Sequence, residues 1–204
     1  MRAGMQQLSD LCEALLGRGS AEPLSYRQAF ERQLALNPHS ASVAELAAAA
    51  SAHGVPIPRG ISPEDRDEWL NLLLASCVEP TLGRGRPTLL FHYPATQAAL
   101  ARVDQAGCEA VAERFELYVD GMELANGYHE LLDAATLRRR NALTNRQRIR
   151  DGKYVLPEQS RLLAAMEHGL PPCAGVALGF DRLVALAVGA RSLAEVMPFP
   201  LDRA

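Results

Sequence analysis

Two carboxylates flank a sharp reversal of the chain. Arg114 to Val119 and Met122 to Asn126 are β-rich runs on either side of Asp120-Gly121. Asp-Gly between such runs is a strong hairpin signal. A two-residue turn there pairs Val119 with Met122, Tyr118 with Glu123 and Glu116 with Ala125. Side chains alternate along a strand. Glu116, Tyr118 and Glu123 therefore share one face, and Phe115, Leu117, Val119, Met122 and Leu124 share the other. Two readings fit the polar face. One is a solvated outer surface, where glutamate is common. The other is a magnesium site, since Mg²⁺ takes one or two carboxylates and fills its other positions with water and substrate phosphates. Close carboxylates repel, and a divalent cation relieves the repulsion.

Asn126-Gly127-Tyr128-His129-Glu130 comes directly after the second run. Strict alternation puts Asn126 on the core face. A bulge at Gly127 would re-aim the neighbouring side chains and bring Asn126 and Glu130 to the carboxylates. A free glutamate there suits a substrate ammonium group. The plainer reading is an edge strand fading into a polar loop. Further on, Gly175 to Leu183 reads as a strand that passes through Gly179 into a helix. Small residues allow close backbone approach to a ligand or to a neighbouring element. Arg182 falls in the first helical turn, where it can stack on an aromatic base while staying charged. The helix start also favours negative charge nearby. The pattern is neither Rossmann nor P-loop, and Gly179 alone serves helix–sheet packing equally well. The five histidines show no ligand-like spacing and read as structural or surface residues.

The elements that must position these residues can be read from caps and periodicity. Residues 1–16 form a helix with no capping residue at its start, ended by Gly17-Arg18-Gly19-Ser20. Ser25 to Leu34 is a helix with Ser25 at N-cap and Gln28 at the capping-box position. Ser42 to His53 is an alanine-rich helix stopped by Gly54. Another opens at Ser62-Pro63-Glu64-Asp65, with Ser62 at N-cap, and runs toward Val78. Residues 1–80 are thus expected to be a mainly helical block, and residues 81–204 a sheet with the hairpin and the strand–helix unit. In the second part, Thr88 to Tyr93 is a strand, Asp133 to Asp151 a polar, Arg-rich helix, and Pro157 to His168 a further helix. That order predicts an α+β fold with an antiparallel sheet.

Composition sets the outer bounds. The chain has 204 residues, 48% hydrophobic and 22% charged, with a formal net charge of −3, which argues against disorder and a coiled coil. No strong basic excess argues for nucleic acid. The longest apolar run, Cys173 to Ala190, is broken by Asp181 and Arg182 and does not suit a lipid span. Cys12, Cys77, Cys108 and Cys173 form no CxxC pair, so the expectation is reduced, mostly buried thiols in a cytoplasmic protein rather than zinc or a redox dithiol.

Taken together, Arg114-Phe115-Glu116-Leu117, Gly121 to Leu131 and Gly175 to Leu183 resemble the C-terminal half of a class II lysyl-tRNA synthetase catalytic core. The last segment is similar to that class's third signature motif. The likeness is closer to the lysyl-tRNA synthetase-like ligases that modify elongation factor P with (R)-β-lysine. It extends to Ser25 through Phe30, Phe91 through Ala95, Leu193 through Val196 and Leu201 through Ala204. The resemblance implies an antiparallel sheet flanked by helices and an ATP-dependent reaction with Mg²⁺. Lysine or (R)-β-lysine would be activated as an adenylate and passed to a lysine of elongation factor P, with tRNA the less favoured acceptor. Glu116 and Glu123 would hold magnesium on the ATP phosphates. Arg182 would stack on adenine as the catalytic arginine, and Gly179 would line the nucleotide pocket. Asn126, Tyr128 and Glu130 would line the amino-acid pocket, with Glu130 toward the side-chain ammonium. Ala177 would mark the elongation factor ligases, since a true lysyl-tRNA synthetase has glycine there.

The resemblance also implies an N-terminally incomplete core. The first signature motif and the second, whose arginine grips the α-phosphate, have no counterpart, and no anticodon-binding barrel is present. The expectation is a weak or inactive catalyst, with a sheet edge exposed where the second motif would pair and open to association, a homodimer included. Three explanations compete: a piece of a larger ligase of either acceptor type, a non-catalytic relative that binds a nucleotide or a partner, and an unrelated activity on the half-fold.

Overall fold

The computed structural model describes residues 1–200. The segment Leu201 through Ala204, part of the resemblance, lies outside the described residues. The chain opens on α1 (Arg2–Leu16), which has no side-chain cap and closes on Gly17 at φ 64°. β1 (Glu22–Ser25) runs straight into α2 (Tyr26–Leu34), and Ser25 and Gln28 form the expected capping box. Ser42 and Glu45 cap α3 (Val43–Ala52) in the same way.

α4 (Arg66–Leu73) departs from the sequence reading, because its cap is Asp65 and not Ser62. The Asp65 carboxylate accepts from the amides of Asp67 and Glu68, and the Ser62 amide donates to Glu68 instead. One carboxylate there satisfies two orphan amides of the first turn. The helix widens to π geometry over Leu74–Val78 and ends in a 3-10 turn over Glu79–Thr81.

β2 (Thr88–Pro94), β3 (Val103–Asp104), β4 (Val111–Val119) and β5 (Met122–His129) come next. β5 runs on to His129 instead of stopping at Asn126. Then come α5 (Ala134–Arg150), α6 (Arg161–His168), β6 (Ala174–Leu178) and α7 (Phe180–Val188). α6 starts at Arg161 rather than Pro157 because Ser160 supplies the cap.

The strands form one sheet in the order β1-β2-β4-β5-β6, with β3 beside β4. All pairings are antiparallel except β1 with β2. The antiparallel α+β expectation therefore holds, with one parallel strand added in a stretch read as helical. Glu22-Pro23-Leu24-Ser25 is too short and too polar to announce itself by alternation.

Both sheet faces are covered. On one, Tyr26 and Phe30 of α2, Leu46 of α3 and Trp69, Leu70 and Leu73 of α4 belong to one buried cluster with Leu90, Tyr93 and Tyr118. On the other, Met5, Leu8 and Cys12 of α1 and Leu183 of α7 join Leu89, Phe115, Leu117, Val119 and Leu124. Phe115 and Leu117 against Glu116 and Tyr118 is the expected period of two, with each face given its own helices. A small third cluster of Leu137, Leu163 and Met166 joins α5 to α6.

Candidate active site

The hairpin turn has the left-handed geometry that Asp-Gly predicts, with Asp120 at φ 53° and Gly121 at φ 80°. Val119 pairs with Met122 and Tyr118 with Glu123, as expected. The register then shifts by one residue. Leu117 faces Ala125 and Glu116 faces Asn126, so Leu124 is the extra residue on β5. The expected Glu116–Ala125 pair is corrected accordingly, and so is the bulge site, which lies before Asn126 and not at Gly127. The shift puts Asn126 on the face of Glu116.

Two rows now cross three strands. Glu116, Asn126 and Ala177 form one, and Arg114, Tyr128 and Gly175 the other. Gly127 sits on the opposite face over Phe115, and any side chain there would overlap the ring. That close approach, and not a bulge, accounts for this glycine.

Glu116 is only 4% exposed, which overturns the solvated-surface reading for this residue. Its Oε2 accepts from the hydroxyls of Tyr93 and Tyr118. Its Oε1 accepts from Arg114 and, at 3.0 Å, from Asn126 Nδ2. Two oxygens with four partners use the acceptor capacity of a carboxylate. Arg114 also lies over the Tyr93 ring, 4.5 Å from its centroid. Burial opposes the Arg114 charge, but Glu116, Tyr93 and Tyr128 together outweigh it and raise the guanidinium. Burial, then the Glu116 charge, pushes both tyrosines well above their ordinary range, so they remain donors.

Glu123 is more open, with its side chain 38% exposed. Burial raises its carboxyl, the Glu116 charge raises it further, and Arg182 opposes both. Arg182 Nη1 donates to the Glu123 carbonyl and lies 3.8 Å from Glu123 Oε2. Gly179 ends β6 and caps α7, and its amide donates to the Leu124 carbonyl at 2.9 Å. The bulge residue thus ties the nucleotide-side candidates Glu123, Gly179 and Arg182 into one corner.

Glu130 reaches back over β6. Its Oε1 occupies the space that a side chain on Gly175 would take. Burial raises the Glu130 carboxyl. Asn126 Oδ1 and Arg114 Nε are buried without a hydrogen-bond partner among the described residues. A buried acceptor left unmade costs about 1–3 kcal/mol, which a ligand N–H would recover.

Sequence reasoning gives no role to Tyr93, Arg114, Glu79 or Gly175. Glu79 Oε1 lies 3.1 Å from the Tyr118 hydroxyl. Tyr93 joins this face because the β2 register shifts at His92, which takes φ 61°. Nothing in the sequence marks that turn of the backbone. Tyr118 is visible on this face from alternation alone. His129 Nδ1 lies 2.8 Å from Glu113 and faces away from these groups, toward a cavity of about 860 Å³ between α1 and the sheet. None of the eight candidate residues lines that cavity. Among the described residues no three His, Cys, Asp or Glu side chains gather as a protein-only metal cage.

Comparison with known proteins gives two findings. The sequence model of the tRNA synthetases class II (D, K and N) matches residues 22–203. The elongation factor P–(R)-β-lysine ligase of Klebsiella pneumoniae subsp. pneumoniae is 47% identical over 200 residues, 98% of this chain and 61% of the relative. Those of Hamiltonella defensa and Salmonella dublin are 47% and 46% identical with the same coverage. The chain spans about three fifths of the length of these curated relatives.

Proposed function

The chain belongs to the family of tRNA synthetases class II (D, K and N), and from that premise we propose an ATP-dependent ligase site of lysyl type. The amino acid is lysine or (R)-β-lysine, and the acceptor is a lysine of elongation factor P. The supporting observation is the register shift at Leu124. It sets Asn126 and Ala177 beside Glu116, while Glu123, Gly179 and Arg182 share the adjacent corner.

In this reading the amino acid's carboxylate attacks the α-phosphate of ATP and pyrophosphate leaves. The acyl group then passes from the adenylate to the acceptor amine, and AMP leaves. Arg182 stacks on adenine and Gly179 admits the nucleotide to the helix start. Asn126 Oδ1, Tyr128 and Glu130 receive the amino acid, with Glu130 on its side-chain ammonium. Ala177 narrows that pocket by one methyl, a change that is worth about 1–3 kcal/mol in choosing between close substrates.

The donor set fits Mg²⁺, which neutralises phosphate charge when bound. Glu123 is the open ligand, and its raised carboxyl marks a repulsion that a cation relieves. Glu116 supplies the second charge from a fixed position, and ligates directly only by giving up one of its four donors. No helix among the described residues is long and apolar enough to cross a membrane. The four cysteines are free, in keeping with a cytoplasmic setting, but only Cys12 is buried and Cys108 and Cys173 are exposed, which corrects the expectation of mostly buried thiols.

The test is ATP–pyrophosphate exchange with α-lysine and (R)-β-lysine as separate substrates, beside magnesium-dependent ATP binding. Exchange with either amino acid supports the ligase, and the faster one names the subgroup. Magnesium-dependent ATP binding without exchange points to nucleotide binding without turnover. Absence of both sinks the site.

A further inference from the structure

α5 takes no part in the site above, yet it carries the strongest local charge of the chain. Residues 134–153 hold seven basic side chains and one acid, a net of +6 in a chain whose total is −3. Some of these arginines hold the helix in place. Arg138 pairs with Glu167 of α6, Arg140 donates to the carbonyls of Ala99 and Ala101, and Arg148 donates to the Tyr154 carbonyl.

Others are free to meet a partner. Arg139, Arg146 and Arg150 are exposed and fall on one helix face at i, i+7 and i+11, with Leu143 between them. Arg146 has no hydrogen-bond or ion-pair partner among the described residues, and Arg150 hydrogen-bonds to the neutral Gln147 and borders a cavity shared with Glu64, Asp65 and Asp67. Arg139 reaches Thr136 and lies 3.9 Å from Asp133. α5 buries only Leu137 and Asn145. Leu143 and Ile149 are each 62% exposed, and Tyr154 is 93% exposed.

A merely solvated helix has no use for bare leucine and isoleucine between its arginines. Arginine is enriched at protein interfaces, around an apolar centre. An RNA site would lean on phosphate contacts and stacked aromatics, to which aliphatic side chains add little. We propose that this face of α5 docks an acidic, partly apolar surface of the protein acceptor. The proposal rests on the reading of that acceptor as elongation factor P and extends it to a place on the chain. Charge there would speed encounter and fix orientation, while Leu143 and Ile149 would supply contact that salt does not weaken.

The experiment is calorimetric titration of elongation factor P into this chain, at low and high salt. The wild type is compared with Arg139→Glu/Arg146→Glu/Arg150→Glu and with Leu143→Ser, after circular dichroism confirms the helix. The expected result is binding that weakens with salt in the wild type and drops at least about tenfold in the triple variant. Leu143→Ser should weaken binding at both salt levels, and magnesium-dependent ATP binding should be unchanged throughout. Equal affinity of the triple variant and the wild type overturns the proposal. So does a wild type that binds ATP but not elongation factor P, which leaves the nucleotide reading standing. Tighter binding of tRNA than of elongation factor P, lost in the triple variant, would give the surface to RNA instead. A wild type that binds neither ATP nor elongation factor P sinks the site reading together with this one.

Discussion

Glu116 and Glu123 share a face and differ in what surrounds them, so neutralising each should have a different effect. Glu116→Gln strips the counter-charge from the partly buried Arg114, and breaking a fully buried pair, the upper bound here, costs about 3–5 kcal/mol. Urea denaturation should show that loss. Glu123→Gln removes a half-exposed carboxylate whose one ion-pair partner among the described residues lies 3.8 Å away, and its stability should stay within about 0.5 kcal/mol of wild type. Its magnesium-dependent ATP binding should fall instead. Equal stability losses in the two variants would refute the division of labour. Gly175→Ala probes the amino-acid side. The added methyl takes the space of Glu130 Oε1, the end of a flexible side chain, so the fold should survive while lysine affinity drops. ATP affinity should hold, and isothermal titration with each ligand separates the two effects. Burial raises the Glu130 carboxyl, so its stability contribution is present in acid and is lost as pH rises through the folded value. Ammonium binding runs the other way, since it needs the ionised form. Lysine affinity should therefore fall on acidification at a pH above the ordinary glutamate value of about 4.3, and Glu130→Gln should flatten that fall.

At the scale of elements, the site depends on one extra residue in β5. Without Leu124 bulged out, Asn126 would face the core and Glu116 would lose a donor. Gly127 keeps that arrangement in place, because Phe115 fills the volume of its missing side chain. Gly127→Ala should cost about 1–3 kcal/mol through overpacking and push β5 from its register. Chemical denaturation measures the first, and loss of ATP binding reports the second. The same hairpin separates what local rules disclose from what they do not. The Asp120-Gly121 turn, the faces of Phe115 through Val119 and the cap at Ser25 obey such rules and appear as expected. Glu116, Glu123, Asn126, Glu130, Gly179 and Arg182 are candidates by residue type and spacing; the family resemblance joins them into one site and adds Tyr128 and Ala177, since no spacing rule links Arg182 to Glu123 across the intervening chain. The bulge at Leu124 and the flip at His92 are not legible. Each is a compromise among packed strands, and neither Leu124 nor His92 is a residue type that demands it. β1 and the Asp65 cap escape a local reading for a related reason, since tertiary contacts and not local pattern select them.

For the whole molecule, the sheet is closed by helices on both faces but not at its β6 edge. β6 pairs only with β5 among the described residues, and its Val176 is 41% exposed. Phe180 and Val188 of α7 add exposed apolar surface nearby, at 69% and 66%. An unprotected edge of this kind invites strand addition. Sedimentation velocity over a concentration series should show self-association of this chain, and Val176→Lys should reduce it. A monomer at all concentrations would contradict this. The centre of the sheet behaves differently because of the Glu116 carboxylate. Its donors come from three strands: Tyr93 from β2, Arg114 and Tyr118 from β4, and Asn126 from β5. Opening any one of those strands leaves a buried charge short of partners, so none of them can fray alone. In hydrogen-exchange terms, the amides of Phe115, Leu117 and Ala125 should exchange only with global unfolding, while those of α5 exchange early. The residue that sets the charge of the site is thus also the clasp that makes three strands a single cooperative unit.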